Sequence, residues 1–131
     1  MNLTKYSKNR IMETFNHWVV DRDFADPMYN YLVYGYSPGS CFTSVLANDF
    51  LGAIFRSHPS NTIDAYKRLS GWMSANVPRQ AQGSYQAVDY WLGLDNDERR
   101  TILEMNHLIY TTEEESWLIL KDEPFKEVVL Y

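Results

Sequence analysis

The stretch YLVYGYSPGSCFTSVLANDFLGAIFRSH, residues 31–58, contains the pattern that decides the fold of this 131-residue chain. It consists of an apolar segment, a turn rich in glycine and proline, and a segment whose apolar residues recur every three or four positions. That period is typical of a helix with one buried face. The sequence therefore predicts a central helix over 41–58, against which the other elements pack.

The predicted central helix has a broad apolar stripe, formed by Phe42, Val45, Leu46, Phe50, Ala53 and Ile54. Ahead of it, Gly35 suits the residue just past a helix end, where a positive φ is cheap only for glycine. Ser40 is a good N-cap because its hydroxyl can accept a hydrogen bond from an unpaired amide of the first turn. Pro59 ends the helix, since proline cannot donate to the helical ladder.

The other segments up to residue 109 also show helical patterns. Residues 4–24 predict an amphipathic helix with a break near Ala25, because Asp26-Pro27 follows it. For 28–34, a helix of about two turns is favoured over a strand. Further helices are predicted over 61–77, over 84–92 and from Asp97 onward.

The pattern changes in the C-terminal part of the chain. Two continuous apolar runs, Trp117–Leu120 and Val128–Tyr131, are rich in β-forming residues and flank the polar segment 121–124. This arrangement predicts a β-hairpin. Thr112 and Glu115 give the alternative, a capping box that begins a last helix.

The predicted fold is mainly α: a compact bundle of about five helices with a small C-terminal β-hairpin, hence α+β. The length fits one domain, 1–131, and a composition of 45% hydrophobic and 22% charged residues is ordinary for a globular protein. No apolar run approaches the roughly 18 residues of a membrane span. The N-terminal stretch lacks the apolar block of a secretory signal. We therefore expect a cytoplasmic protein with no membrane partner.

The charge is distributed unevenly along the chain. Residues 1–60 carry equal numbers of basic and acidic groups, so the net charge of −5 lies entirely in 61–131. Direct nucleic-acid binding ranks last among the functions considered, because it depends on Lys and Arg neutralising phosphates. Cys41 is the only cysteine. An intramolecular disulfide and a cysteine-rich zinc site are thereby excluded.

Several short motifs lie between residues 29 and 92. They are Tyr31-Leu32, the turn Gly35–Ser40, Val45-Leu46, Asn48-Asp49-Phe50, Arg56, Asn61, Leu69, Trp72, Gly83-Ser84, Val88 and Trp91-Leu92. In this order they resemble a family of small tailed-phage proteins with no assigned activity. The resemblance implies a phage origin and a compact helical core over 29–92, and it carries over no catalytic residue. Residues 1–27 and 95–131 look like additions to that core, and Cys41 stands where an aromatic residue is usual.

The turn before the central helix invites comparison with phosphate-binding loops. Backbone amides at a helix N-terminus attract anions. The Lys-Ser/Thr ending of a P-loop is missing after Gly35–Ser40, so a capped turn between helices is the favoured interpretation. Cys41 follows directly, where the helix dipole could activate a thiolate. Inert packing of Cys41 is favoured, because cysteine is among the residues most often buried.

No metal or catalytic motif emerges from the remaining polar residues. The three histidines, His17, His58 and His107, have no ligand spacing. Asp49 and Arg56, with Asn48 close by, fall on one side of the predicted central helix. They either line a polar site or form an internal hydrogen-bond network, and the network is favoured. We therefore predict no cofactor, no metal and no enzymatic activity.

The aromatic content of 15% is high for a chain of this size. Tyrosine and tryptophan are favoured interface anchors, and an acidic run offers a docking patch. We expect a partner surface drawn from Tyr29, Tyr34, Tyr36, Tyr110, Glu113, Glu114, Glu115, Trp117 and Tyr131. The leading hypothesis is a small phage accessory protein in the host cytoplasm that binds another protein, of host or phage, and inhibits a host enzyme or an antiviral defence complex.

Three rival hypotheses belong to other classes. A self-associating structural or assembly factor would use the apolar C-terminal segment from Trp117 as its interface and form homo-oligomers. An enzyme would assemble its site from dispersed Asp, His and Tyr residues. An acidic protein could also act as a DNA mimic toward a DNA-binding partner.

Overall fold

The computed structural model describes residues 5–58 and 61–109, and within these ranges it contains seven α-helices and no strand. The helices are α1 (Lys5–Trp18), α2 (Ala25–Tyr29), α3 (Ser40–Leu46), α4 (Phe50–Arg56), α5 (Ile63–Asn76), α6 (Tyr85–Gly93) and α7 (Asn96–Met105). Two 3₁₀ turns, Arg22–Phe24 and Arg79–Ala81, and one π-helical turn, Asn30–Tyr34, complete the structure. The mainly α class is confirmed. The predicted hairpin lies outside the described residues.

Helix α1 ends at Trp18, well before the predicted break near Ala25. Val19 adopts a positive φ of 55°, and the Val20 N–H donates to the Phe15 carbonyl oxygen at 3.0 Å. These contacts close the helix. Asp26-Pro27, predicted to follow a helix, instead lies inside α2. The predicted position of the break was wrong, because α1 already ends before Val19. Pro27 lies in the first turn of α2, where a missing N–H removes no helical bond.

The predicted central helix over 41–58 is two helices, α3 and α4. Asn48 adopts a left-handed conformation with φ of 61°. Its N–H donates to the Val45 carbonyl oxygen at 3.2 Å, and the N–H of Asp49 donates to the Ser44 carbonyl oxygen at 2.9 Å. This pair of bonds is the Schellman ending of a helix. The prediction of one continuous helix was therefore wrong.

Helix α4 starts afresh because Asp49 caps it. The carboxylate of Asp49 accepts a hydrogen bond from the N–H of Gly52 at 2.9 Å. At the start of α3, Gly39 occupies the cap position with φ of 89°, and Ser40 is the first helical residue. The prediction of Ser40 as the N-cap was thus wrong by one residue. A positive φ at position 39 favours glycine over serine.

The helices later in the chain agree with the sequence patterns. Helices α5, α6 and α7 are capped by the side chains of Thr62, Ser84 and Asp95, each of which accepts a hydrogen bond from a first-turn N–H. Asp95 and Glu98 form a complete capping box. The positions of these helices are therefore fixed by local signals as well as by apolar contact.

Two buried tryptophans organise the core. Trp72 of α5 packs edge-on against Phe15 of α1, with ring centroids 4.7 Å apart, and its Nε1–H donates to the hydroxyl of Thr14 at 2.9 Å. Trp91 of α6 donates to the Tyr31 carbonyl oxygen at 3.2 Å. Both indoles are fully buried with their only polar atom satisfied. They join α1 to α5, and α6 to the π-helical turn.

Arg99 of α7 ties three chain segments together although it is 4% exposed. Its guanidinium donates to the carbonyl oxygens of Tyr34, at 3.2 Å, of Trp91, at 3.2 Å, and of Leu94. These carbonyls belong to the end of the π-helical turn and the end of α6. The carbonyl oxygens at the end of a helix need hydrogen-bond donors, which water usually supplies. Here the buried guanidinium supplies them at the end of the π-helical turn and at the end of α6.

Candidate functional site

The structure tests three of the residues predicted for a partner surface. Tyr36 is 52% exposed, whereas Tyr29 and Tyr34 are 1% and 7% exposed. The rings of Tyr29 and Tyr34 pack on each other with centroids 6.1 Å apart. The prediction is thus corrected for these two tyrosines, because α2 and the π-helical turn direct both into the core. The other six residues, Tyr110, Glu113, Glu114, Glu115, Trp117 and Tyr131, lie outside the described part of the chain.

Helix α4 exposes three large apolar side chains, which we call the apolar face of α4. Phe50, Leu51 and Phe55 are 59%, 80% and 90% exposed, and Ala53 is the one residue of this helix that is buried. Leu51 and Phe55 lie one helical turn apart and therefore on the same side. Contiguous exposed apolar patches mark interaction sites on protein surfaces.

Phe50 was predicted to belong to the buried stripe, and this was wrong. The sequence pattern predicts one helix whose apolar stripe keeps a constant phase from Phe42 to Ile54. The break at Asn48 and Asp49 ends α3 and begins a new helix at Phe50, which leaves Phe50 59% exposed, whereas Ala53 stays buried and Ile54 packs against the core as predicted. The exposure of the apolar face of α4 was therefore not predicted, although all three of its residues lie within the seven-residue sequence FLGAIFR.

A cleft of about 450 Å³ lies beside α4, and we call it the polar cleft. Its lining residues come from the turn before α3, from α3, from the end of α4 and from the start of α6: Ser37, Gly39, Ser40, Thr43, Ser44, Arg56 and Tyr85. Apart from Gly39, each of them carries a hydroxyl group or, in Arg56, a guanidinium. No carboxylate is among them.

A hydrogen-bond network fixes the floor of the polar cleft. Arg56 Nη1 donates to Ser44 Oγ at 2.8 Å, and Ser44 Oγ donates to the Ser40 carbonyl oxygen at 3.0 Å. The Tyr85 hydroxyl donates to Asp49 Oδ2 at 2.6 Å. Arg56 Nη1 lies 3.7 Å from the same carboxylate oxygen, an ion pair without a direct hydrogen bond. Three helices, α3, α4 and α6, are thus joined by four side chains.

The Asp49 carboxylate is the charged centre of this network. The hydrogen bond from Tyr85, then that from the Gly52 N–H, hold the pKa of Asp49 below its ordinary value, with the Arg56 charge adding to the effect. A side chain at position 52 would collide with both Asp49 and Arg56. Glycine at this position therefore lets Asp49 and Arg56, which are about two helical turns apart, approach each other.

The sequence predicted part of this network. Asp49 and Arg56 were expected on one side of a helix, and they do lie together. Ser44 and Tyr85 were not singled out as site residues. No local signal could have found Tyr85, since it lies 36 residues away from Asp49 along the chain and is brought near only by the packing of α6 on α3.

Cys41 sits on the other side of α3. Its thiol donates to the Ala53 carbonyl oxygen at 3.4 Å and lies 3.4 Å from the Tyr66 hydroxyl. Asn61 Nδ2 also donates to that hydroxyl, at 3.0 Å. Burial and the neighbouring thiol raise the pKa of Tyr66. These contacts between α3, α4 and α5 agree with a packing role for Cys41.

Comparisons with protein-family models, with curated proteins and with solved structures returned no match. Within the described ranges, His, Cys, Asp and Glu nowhere gather in a group of three or more that could hold a metal ion. Among the helices described above, none combines the length and the apolar character needed to cross a membrane. The apolar face of α4 and the polar cleft are both accessible in the described part of the chain.

Proposed function

We propose that this chain is a small accessory protein that acts by binding another protein through the apolar face of α4. The observation that carries the proposal is the exposure of Phe50, Leu51 and Phe55 on a helix of seven residues. Burying a side chain of this size is worth about 2 kcal/mol, so a partner that covers all three gains several kilocalories. Large apolar anchors of this kind dominate the energy of protein interfaces.

The fold gives this face the rigidity that an interface needs. Helix α4 is capped at its start by Asp49, and Arg56 at its end bonds to α3 through Ser44. The apolar face therefore belongs to a fixed element. Few side chains and little backbone of α4 then need to become ordered when a partner binds, and this reduces the entropic cost of association.

The motif resemblance over 29–92 supports a phage origin for the protein. In that setting the partner is a host enzyme or an antiviral defence complex, and binding inhibits it by covering its surface. The net charge of −5 supports a protein partner over nucleic acid. Residues outside the described ranges, Trp117 among them, stay candidates for extending the interface.

Two other functions keep a specific observation in their favour. A second copy of this chain could cover the apolar face of α4, which would make the protein a self-associating assembly factor. An enzyme assembled from dispersed residues would use the polar cleft, which is lined by Tyr85 and Arg56, both in contact with Asp49. Both predict outcomes that differ from those of the proposed function.

A matched pair of surface variants tests the proposal. Leu51→Lys with Phe55→Lys places two charges on the apolar face of α4, and Tyr90→Lys with Met105→Lys places two charges on other exposed apolar positions. Affinity capture from host lysate is expected to return one stoichiometric partner with the wild type and with the control, and to lose it with the α4 variant. A partner retained by the α4 variant would refute the proposal.

The oligomeric state separates the partner from a second copy. Light scattering after size exclusion at high concentration is expected to give a monomer for the wild type. If the wild type is a dimer and the α4 variant a monomer, the face joins two copies of the chain. The protein would then be an assembly factor and the accessory role would be abandoned.

A further inference from the structure

The polar cleft presents hydrogen-bond donors that the fold itself does not use. Ser37, Ser40 and Thr43 line it, and their hydroxyls make no hydrogen bond within the part of the chain that is described. Ser44, by contrast, is 1% exposed and is already engaged. The cleft thus has a satisfied floor and a rim of free hydroxyls.

Arg56 adds the only charge in the lining. A guanidinium has five N–H donors, and among the described residues only Nη1 is engaged, by Ser44 at 2.8 Å and by the Asp49 ion pair at 3.7 Å. The side chain is 44% exposed. The Nε and Nη2 donors are therefore available to a ligand, and their planar fork matches the oxygens of a phosphate.

Asp49 orients Arg56 without blocking it. Its carboxylate accepts hydrogen bonds from Tyr85 and from the Gly52 N–H, and it does not line the polar cleft. It holds the guanidinium by charge across 3.7 Å, which leaves the remaining N–H groups free. The nearby negative charge also weakens attraction for an anion, so the expected affinity is modest.

We propose that the polar cleft binds the phosphate group of a small phosphomonoester, with Arg56 as the principal contact and the free hydroxyls of Ser37, Ser40 and Thr43 completing the oxygen shell. Several donors drawn from the turn before α3, from α3 and from α4 suit the oxygens of a phosphate better than the two of a carboxylate. The volume of about 450 Å³ falls within the range of roughly 300–1,000 Å³ for small-molecule sites. It exceeds what a bare phosphate needs, and the half-exposed Tyr85 ring offers a wall for the rest of the ligand.

This site differs from a phosphate-binding loop, because its charge comes from a side chain on α4 and not from the amides of Gly35–Ser40. It is also independent of the apolar face of α4, which lies on another side of the same helix. A failure to bind phosphate would leave the proposed binding of a protein by the apolar face of α4 unaffected, and the converse also holds.

Titration followed by amide NMR tests the assignment. Inorganic phosphate and glucose 6-phosphate are expected to shift the amides of 37–44 with saturable, millimolar affinity, and the ester is expected to bind more tightly. Glucose and acetate are expected to leave these amides unchanged. If acetate shifts them as strongly as phosphate, the site recognises carboxylates and the proposal is overturned.

Matched variants identify the contact. Arg56→Gln is expected to weaken phosphate at least tenfold, whereas Arg68→Gln, which removes the same charge from an exposed position on α5, changes nothing. Ser40→Glu gives a second test at an exposed rim position, because a carboxylate there should abolish binding while the fold persists. Equal affinity in the wild type and in Arg56→Gln, or shifts that never saturate, would reject the site.

Discussion

The guanidinium of Arg99 lies so close to the backbone of Gly35 that a Cβ atom there would stand 2.5 Å from the guanidinium carbon. The same glycine adopts φ of 68°, which ends the π-helical turn. Gly35 thus meets two requirements at once, a left-handed backbone and space for an arginine. The contact joins the N-terminal half of the fold to α7.

Replacing Gly35 is expected to be costly for both reasons. Gly35→Ala should lower the free energy of unfolding by about 2 kcal/mol or more, from the left-handed conformation and the displaced arginine together. Gly93→Ala is the matched control, because its Cβ would meet no atom within 4 Å and its φ is not positive. Urea denaturation measures both. Equal midpoints for the two variants would contradict this view of Gly35.

Arg99 is expected to be a stabilising residue despite its charge. Arg99→Ala removes the guanidinium donor from the carbonyl oxygens of Tyr34, Trp91 and Leu94 in a buried place, which should cost about 3 kcal/mol. Arg68→Ala, at an exposed site, should stay within about 0.5 kcal/mol of the wild type. A thermal midpoint of Arg99→Ala close to that of Arg68→Ala would show that the hydrogen bonds of Arg99 to these carbonyls contribute nothing to stability.

Substitutions at Asn48 test whether residues 41–58 form one helix or two, because the two structures predict opposite orders of stability for Asn48→Gly and Asn48→Ala. With φ of 61° at this position, Asn48→Gly should be neutral or stabilising, and Asn48→Ala should destabilise the protein by about 1 kcal/mol. A continuous helix over 41–58 predicts the opposite order, since alanine favours a helix interior over glycine by about 1 kcal/mol. Denaturation midpoints of the two variants, measured side by side, give the answer.

The loss of stability at acidic pH should depend on Asp49. Its pKa in the folded protein is depressed, chiefly by the hydrogen bond from Tyr85. A depressed pKa stabilises the fold above the unfolded value of about 3.9 and loses that contribution as the pH falls through the folded value. Asp49→Asn should therefore flatten the fall in thermal midpoint below pH of about 4.

Tyr85→Phe isolates the cause of that shift. Removing the hydroxyl should move the pKa of Asp49 upward toward its ordinary value, which a carbon-13 NMR titration of the carboxyl group would detect. Tyr90→Phe, on the same helix and also exposed, should leave it unchanged. An Asp49 titration that is identical in both variants would remove Tyr85 from the network.

Local signals in the sequence explain why the helical class was predictable. The positive φ of Gly35 and the capping box of Asp95 and Glu98 each depend on residues that are close together in the chain. The break at Asn48 carried a signal too, since asparagine tolerates the left-handed region and aspartate caps helices. Apolar residues recur with a helical period on both sides of Asn48, and this pattern favoured a continuous helix over a break.

The remaining features depend on contacts between distant residues. Ser44 and Tyr85 meet 41 positions apart, and Arg99 reaches the Tyr34 carbonyl across 65 positions. An arginine buried against carbonyls also runs against the usual preference of charged residues for the surface. Composition and periodicity contain no information about such pairs. The polar cleft and the hydrogen bonds of Arg99 to distant carbonyls are therefore visible only in the structure.

The central claim is that the apolar face of α4 contacts another protein, and site-specific photo-crosslinking in living cells tests it most directly. A photoreactive amino acid at position 55 replaces a side chain that is 90% exposed, and one at position 105 replaces a side chain that is 74% exposed. We predict one discrete adduct with a second protein from position 55 and none from position 105. No adduct from position 55, or the same adducts from both positions, would contradict the claim.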